Sequence, residues 1–265
     1  MIRILNHCFR LTIILVLLVW TNYCLAQNKA TLSRAHSHND YSQPTPFYHA
    51  YNRGFGAIEA DVFLINGQLF VAHDQDKALQ GKTLMVQYLQ PLKMALSRDT
   101  NRLVTLLVDI KGDYHSSIPE LVRELQPLQP FMKNTASEGR LRILISGNRP
   151  PPEEFRNYPE YISFDEDLMH TYDPETLKRI SQISLKFSNY SNWKGVDSLP
   201  ERDSLALLTV IHAAHTLHKP IRFWDAPDNA RGWTELIKIG VDVIGTDHID
   251  ALASFLEKMS GNTSK

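Results

Sequence analysis

The sequence predicts an α/β fold: a single-domain (β/α)8 barrel of the TIM type, with an extra hairpin strand after the second barrel strand. Three observations predict it. Eight short apolar runs alternate with amphipathic segments along the chain, the pattern of parallel strands joined by crossover helices. The length left after an N-terminal leader suits one such barrel. Charged residues also gather at the C-terminal ends of the runs, the face on which these barrels carry their sites. A doubly wound open sheet is the structural rival on pattern alone.

Residues 1–26 are set apart first. Arg3 and Arg10 precede the apolar run 11–20, and Cys24-Leu25-Ala26 places small residues at a cleavage position. This reads as a secretory signal peptide, too short to span a bilayer stably. An uncleaved anchor and a lipoprotein built on Cys24 are the weaker readings. The barrel is then expected over 27–265, in an exported protein, periplasmic or secreted. Both cysteines, Cys8 and Cys24, leave with the leader, so disulfides, thiolate nucleophiles and cysteine metal sites are not expected. The formal net charge is −1, and loss of Arg3 and Arg10 makes it two units more negative. Such a balance argues against nucleic acid or an anionic membrane as the partner. No second apolar stretch suggests stable membrane insertion.

The expected barrel strands are 32–36, 57–63, 105–111, 141–146, 161–165, 183–188, 221–224 and 241–246. In the second, period-two spacing puts Glu59 and Asp61 on one face and Ile58, Ala60 and Val62 on the other. Asn66-Gly67 is a hairpin dipeptide, turning the chain back into an extra strand at 69–72. The third strand pairs Asp109 with Lys111 on the inner face, with Val108 and Ile110 toward the helices. The sixth carries Lys186, the seventh carries Arg222 and Trp224, and Asp247 follows the eighth. Amphipathic segments at 84–97, 118–125, 174–181, 204–217, 232–239 and 251–259 supply helices. Pro174, Pro200 and Pro227 fall at or just before helix starts, where a missing N–H costs little.

Inward charges are costly unless paired or metal-bound. Several converging on one rim therefore mark a site. The segments His36-Ser37-His38-Asn39-Asp40-Tyr41, Ile58-Glu59-Ala60-Asp61-Val62 and His73-Asp74 bring histidines for proton transfer near neutral pH. They also bring carboxylates suited to holding a hard cation against a phosphate. Simple ion pairing of Glu59 and Asp61 with Lys111 and Arg222 is the plain rival. The row His212, His215 and His218 reads as a solvated helix face.

These motifs resemble the PLC-like phosphodiesterase superfamily, which includes phosphatidylinositol-specific phospholipases C, glycerophosphodiester phosphodiesterases and sphingomyelinase D. With Arg222-Phe223-Trp224-Asp225-Ala226-Pro227 they are most similar to its branch named for a fungal mitochondrial-inheritance protein. The resemblance implies catalytic roles for His38 and His73 and metal ligation by Asn39, Glu59, Asp61 and Asp109. One divalent cation, Mg²⁺ or Ca²⁺, suits this all-oxygen set. Lys111 and Lys186 are expected to hold phosphate oxygens, with Trp224 at the substrate. Ala35-His36 aligns with the His-Arg-Gly motif of glycerophosphodiesterases, but Arg and Gly do not follow it. His38 is therefore preferred, with His36 supporting. Asp40, Tyr41 and Asp74 brace the histidine loops, and Asp74 is a second candidate for orienting an imidazole.

The expected activity is metal-dependent hydrolysis of a glycerophosphodiester or a related small or lipid-derived phosphodiester. A phosphatidylinositol phospholipase C-like or sphingomyelinase D-like lipase is the alternative. A phosphate-binding barrel without catalysis is a second one.

Overall fold

The second strand is the longest in the computed structural model, which describes residues 31–132 and 138–262; the expected leader lies outside them. The strands are β1 (Ala35–Ser37), β2 (Ala57–Ile65), β3 (Gln68–Val71), β4 (Val104–Ile110), β5 (Leu141–Gly147), β6 (Ile162–Glu166), β7 (Ile180–Lys186), β8 (Ile221–Trp224) and β9 (Ile244–Thr246). Their order, β8-β7-β6-β5-β4-β2-β1-β9, never reverses. A doubly wound sheet would reverse at its switch point. All neighbours on this path run parallel, and among the described residues only strand β3 is antiparallel, paired to β2. The seam between β8 and β9 is drawn together by an Arg222–Val243 bridge. The result is a nearly closed barrel of eight parallel strands in a single domain, as expected.

Alternation does the sorting. Ile58, Ala60, Val62, Leu106, Val108 and Ile110 point outward and pack with helix residues such as Leu92, Ile118 and Leu121 into the main apolar cluster. Facing the barrel axis, Leu107 and Leu144 stand level with Glu59. The next layer toward the C-terminal face is the register row Asp61, Asp109 and Ser146. The axis is thus closed by leucines at one level and opens into charge at the next. Asn66 and Gly67 both take positive φ, 49° and 75°, the conformation a tight hairpin turn demands.

Several elements differ from the expected ones. β1 is only three residues long, because Leu32–Arg34 forms a 3-10 turn. The last strand is shortened as well, since Arg34 takes the carbonyls of Val241 and Asp242. A helix at Tyr48–Arg53 lies in a stretch with no expected element. The expected helix 84–97 divides into a π segment, Met85–Leu89, and the α-helix Gln90–Arg98. Pro91 explains the division, for it has no N–H to give back to the preceding turn. His215, itself exposed, meets Asp242 at 2.7 Å, so one member of the solvated histidine row also braces the seam.

Candidate active site

The C-terminal face opens into a cleft of about 590 Å³ whose lining includes His38, Asn39, Glu59, Asp61, His73, Asp109, Lys111, Lys186 and Trp224. All the site residues expected from the motifs except His36 and Asp74 line it. His36 lies beneath, and Asp74 turns away to accept a hydrogen bond from Lys77 at 2.7 Å.

Glu59 is anchored from below. His36 Nε2 lies 2.6 Å from its Oε2, and Arg222 Nη1 lies 3.1 Å from the same oxygen. Arg222 Nη1 is also 2.6 Å from His36 Nε2. Burial, with the Arg222 charge beside it, pushes His36 down to about 4, so the ring is neutral at pH 7. Burial would raise Glu59, but the His36 hydrogen bond and Arg222 outweigh it and hold the carboxyl well below its usual range. The expected support from His36 therefore takes the form of a buried clamp on Glu59.

His38 stands one level higher and more open. Its Nδ1 is 2.9 Å from Asp247 Oδ1, while Nε2 is 3.9 Å from Glu59 Oε1. Burial disfavours the charged ring, yet the Asp247 hydrogen bond and Glu59 outweigh it and set His38 above the usual histidine range. His73 is 63 % exposed at its side chain, and its Nδ1 is 3.1 Å from Asp61 Oδ2. Each of the two imidazoles is held through Nδ1 by a carboxylate, an arrangement that would leave Nε2 for proton transfer.

Tyr41 ties this rim together. Its hydroxyl lies 2.5 Å from Asn39 Oδ1, 2.9 Å from Asp61 Oδ2 and 3.3 Å from His73 Nδ1. Burial and the Asp61 charge push the phenol far up, so it remains a donor. Asn39 takes a left-handed conformation with φ 46°, one that Asn tolerates. Asp40 braces the loop as expected, accepting from Ser37, Phe47 and Tyr88.

Glu59, Asp61 and Asp109 each present a carboxylate oxygen within 4.8 Å of the others. Asp61 Oδ1 is sealed from water and has no hydrogen-bond partner among the described residues. An orphaned anionic oxygen beside two further carboxylates fits a hard divalent cation, which takes oxygen ligands of this kind. Burial pushes Asp109 up, and Lys111 opposes the shift. Gly147 closes over Asp109 with φ +71°, and a Cβ there would lie 2.3 Å from Asp109 Oδ1 and 2.5 Å from the Ile110 carbonyl. Gly147→Ala is therefore expected to cost about 1–3 kcal/mol. A urea midpoint unchanged from wild type would show that the loop yields freely.

The opposite wall is built by β6, β7 and β8. Lys186 Nζ lies 5.1 Å over the Trp224 ring. Arg149 pairs with Glu166, and Asp165, buried beside them, is pushed up to about 6 by burial against the pull of Arg222. Asp247, Arg149, Asp165 and Glu166 received no role from the sequence, and Tyr41 was given only bracing. Their common signal is position, since each acid or base sits at or just past a strand end.

Residues 27–102 match the family model described as the AIM6-like phosphodiesterase domain. The altered inheritance of mitochondria protein 6 homolog of Arthroderma benhamiae is 24% identical over 267 residues, covering 83% of this chain and 82% of that protein. Among solved structures, the glycerophosphodiester phosphodiesterase of Parabacteroides distasonis matches with a TM-score of 0.58 at 16% identity, covering 88% of this chain and 98% of that one. The Agrobacterium tumefaciens glycerophosphodiester phosphodiesterase follows at 0.51 and 15%, covering 83% and 99%. These matches bear out the resemblance read from the motifs, and the fold is that of the glycerophosphodiester phosphodiesterases. The expectation of export is corrected by them. The matching relatives of A. benhamiae, Kluyveromyces lactis and Eremothecium gossypii are all named for mitochondrial inheritance, which points to an intracellular or mitochondrial setting. Basic residues without acids, as at Arg3 and Arg10, are common to secretory and mitochondrial leaders alike.

Proposed function

We propose that this protein is a metal-dependent phosphodiester hydrolase that cleaves a glycerophosphodiester or a related small phosphodiester. The observation that carries this reading is the pair of carboxylate-held imidazoles, His38 on Asp247 and His73 on Asp61, set against the Glu59–Asp61–Asp109 cluster. Binding alone calls for no second proton-transfer group.

Glu59, Asp61 and Asp109, with Asn39 at the rim, would hold one divalent cation, Mg²⁺ or Ca²⁺. When bound, it supplies neutralisation of the phosphodiester charge that otherwise repels a nucleophile. The remaining work belongs to side chains. One histidine takes the proton of the attacking hydroxyl, and the other returns a proton to the leaving alkoxide. Lys111 and Lys186 hold non-bridging oxygens as point charges. Trp224, exposed at the mouth, offers a face to the alcohol part of the substrate. The attacking hydroxyl is a neighbouring one on the substrate, giving a cyclic phosphate, or that of water.

A lipid-borne phosphodiester is the second reading, and one observation favours it. Met169 and Val196, in the loops after β6 and β7, are 82% and 74% exposed. These loops belong to the face that carries the cleft.

The test is a panel of glycerophosphocholine, glycerophosphoinositol, phosphatidylinositol and sphingomyelin, assayed in EDTA and after Mg²⁺ or Ca²⁺ is restored. Turnover of a glycerophosphodiester only with the metal is the expected result. Activity undiminished in EDTA would refute the cation role, and no turnover of any member would leave a phosphate-binding barrel.

A further inference from the structure

Ion pairing and cation binding are rival uses of the inward carboxylates, yet the geometry joins them. Arg222 and Lys111 both make the expected pairs, at 3.1 Å to Glu59 and 2.9 Å to Asp61. They are counter-ions of different kinds. Arg222 is fixed: it is buried, its Nε donates to Ser184, and its Nη1 donates to Glu59. Lys111 spans Asp61 and Asp109, with Nζ 2.9 and 3.0 Å from them, and its side chain reaches the open cleft.

The charge balance is uneven. Glu59 is matched by Arg222, which leaves Asp61 and Asp109 sharing one ammonium. Those are two of the three carboxylates that could hold a divalent ion. An ammonium and a dication drawn to the same oxygens repel each other, so both cannot keep their places. The Lys111 backbone is pinned on both sides, its N–H donating to Val62 and its carbonyl accepting from Asn148. Movement is then left to the flexible four-carbon stem, which swings into the cleft that a phosphodiester would enter.

We propose that Lys111 is an exchangeable counter-ion: a divalent cation displaces its ammonium from Asp61 and Asp109, and the freed ammonium binds the phosphodiester anion. This rests on the cation-site reading above. Cation and anion then bind cooperatively, and by linkage each tightens the other by the same factor.

Calorimetric titration of Mg²⁺ tests this, with and without dimethyl phosphate as a poorly hydrolysed phosphodiester anion. In the wild type the anion should tighten Mg²⁺ binding about tenfold, within the usual range of such coupling. Lys111→Met should bind Mg²⁺ about tenfold more tightly than wild type on its own, with the coupling reduced to less than about twofold. Unchanged or weaker Mg²⁺ binding by Lys111→Met would overturn the exchange while leaving the cation site standing. If neither protein binds Mg²⁺ or Ca²⁺, the exchange and the cation site fall together. Should the variant fail to fold, the Lys111 Nζ resonance of the wild type, assigned through Lys111→Arg, gives the same answer. It should shift on addition of Mg²⁺, and an unmoved resonance overturns the exchange.

Discussion

Replacing His38 or His73 by alanine is expected to lower kcat on an alkyl phosphodiester by about 10²–10⁴-fold, the usual contribution of a placed general acid or base. Neither change should unfold the protein. His73 is largely exposed, and the His38–Asp247 contact lies at a half-exposed rim, where such pairs contribute about 0–1 kcal/mol. The two variants should differ with the leaving group. A p-nitrophenolate leaves without protonation, so the variant lacking the acid recovers most of its rate on bis-p-nitrophenyl phosphate. The variant lacking the base does not. Wild-type turnover of the alkyl substrate by either variant would remove that histidine from the mechanism. Equal losses on both substrates in both variants would remove the division of labour. His36→Ala makes the contrast. It opens the buried clamp under Glu59, so its activity should fall together with its melting temperature.

How much of this site was legible in the sequence follows from how local each contact is. Glu59 and Asp61 share an inner face because strand side chains alternate, and nothing beyond the β2 sequence is needed to see it. Asp109 joins them because adjacent parallel strands bring it level with Asp61, a step the βα pattern already contains. Asp247 is different. It lies 209 positions from His38, and they meet only because the barrel brings β9 beside β1. No spacing rule carries that information. Tyr41 was similarly hidden, since its hydroxyl reaches Asp61 only after Asn39 takes a left-handed turn. The helix at Tyr48–Arg53 lacks a side-chain N-cap, the cue that would have announced it. The ends of β1 and β9 were overestimated for a related reason. Their apolar residues are real core, but Arg34 and the seam take the backbone groups that would have extended the strands.

Arg222→Met is expected to give the largest loss of stability of any change at the site, about 3–5 kcal/mol. The residue is 5% exposed on β8, beside the Arg222–Val243 bridge at the barrel seam. Its removal strands Glu59, a carboxylate held ionised in the barrel interior by Arg222 and His36. His36 supplies a full charge in its place only against the burial that disfavours its protonated ring. Breaking a buried pair leaves an uncompensated ion, whereas methionine itself replaces most of the lost packing. For a domain of this size the loss corresponds to a fall in Tm on the order of 10 °C. A double-mutant cycle separates charge from shape. Glu59→Gln added to Arg222→Met removes the stranded carboxylate, so the double variant should be more stable than the sum of the single losses, by about 1–3 kcal/mol. Strict additivity would mean that Arg222 acts by packing across the seam, and the clamp on Glu59 would then be geometry without energetic consequence.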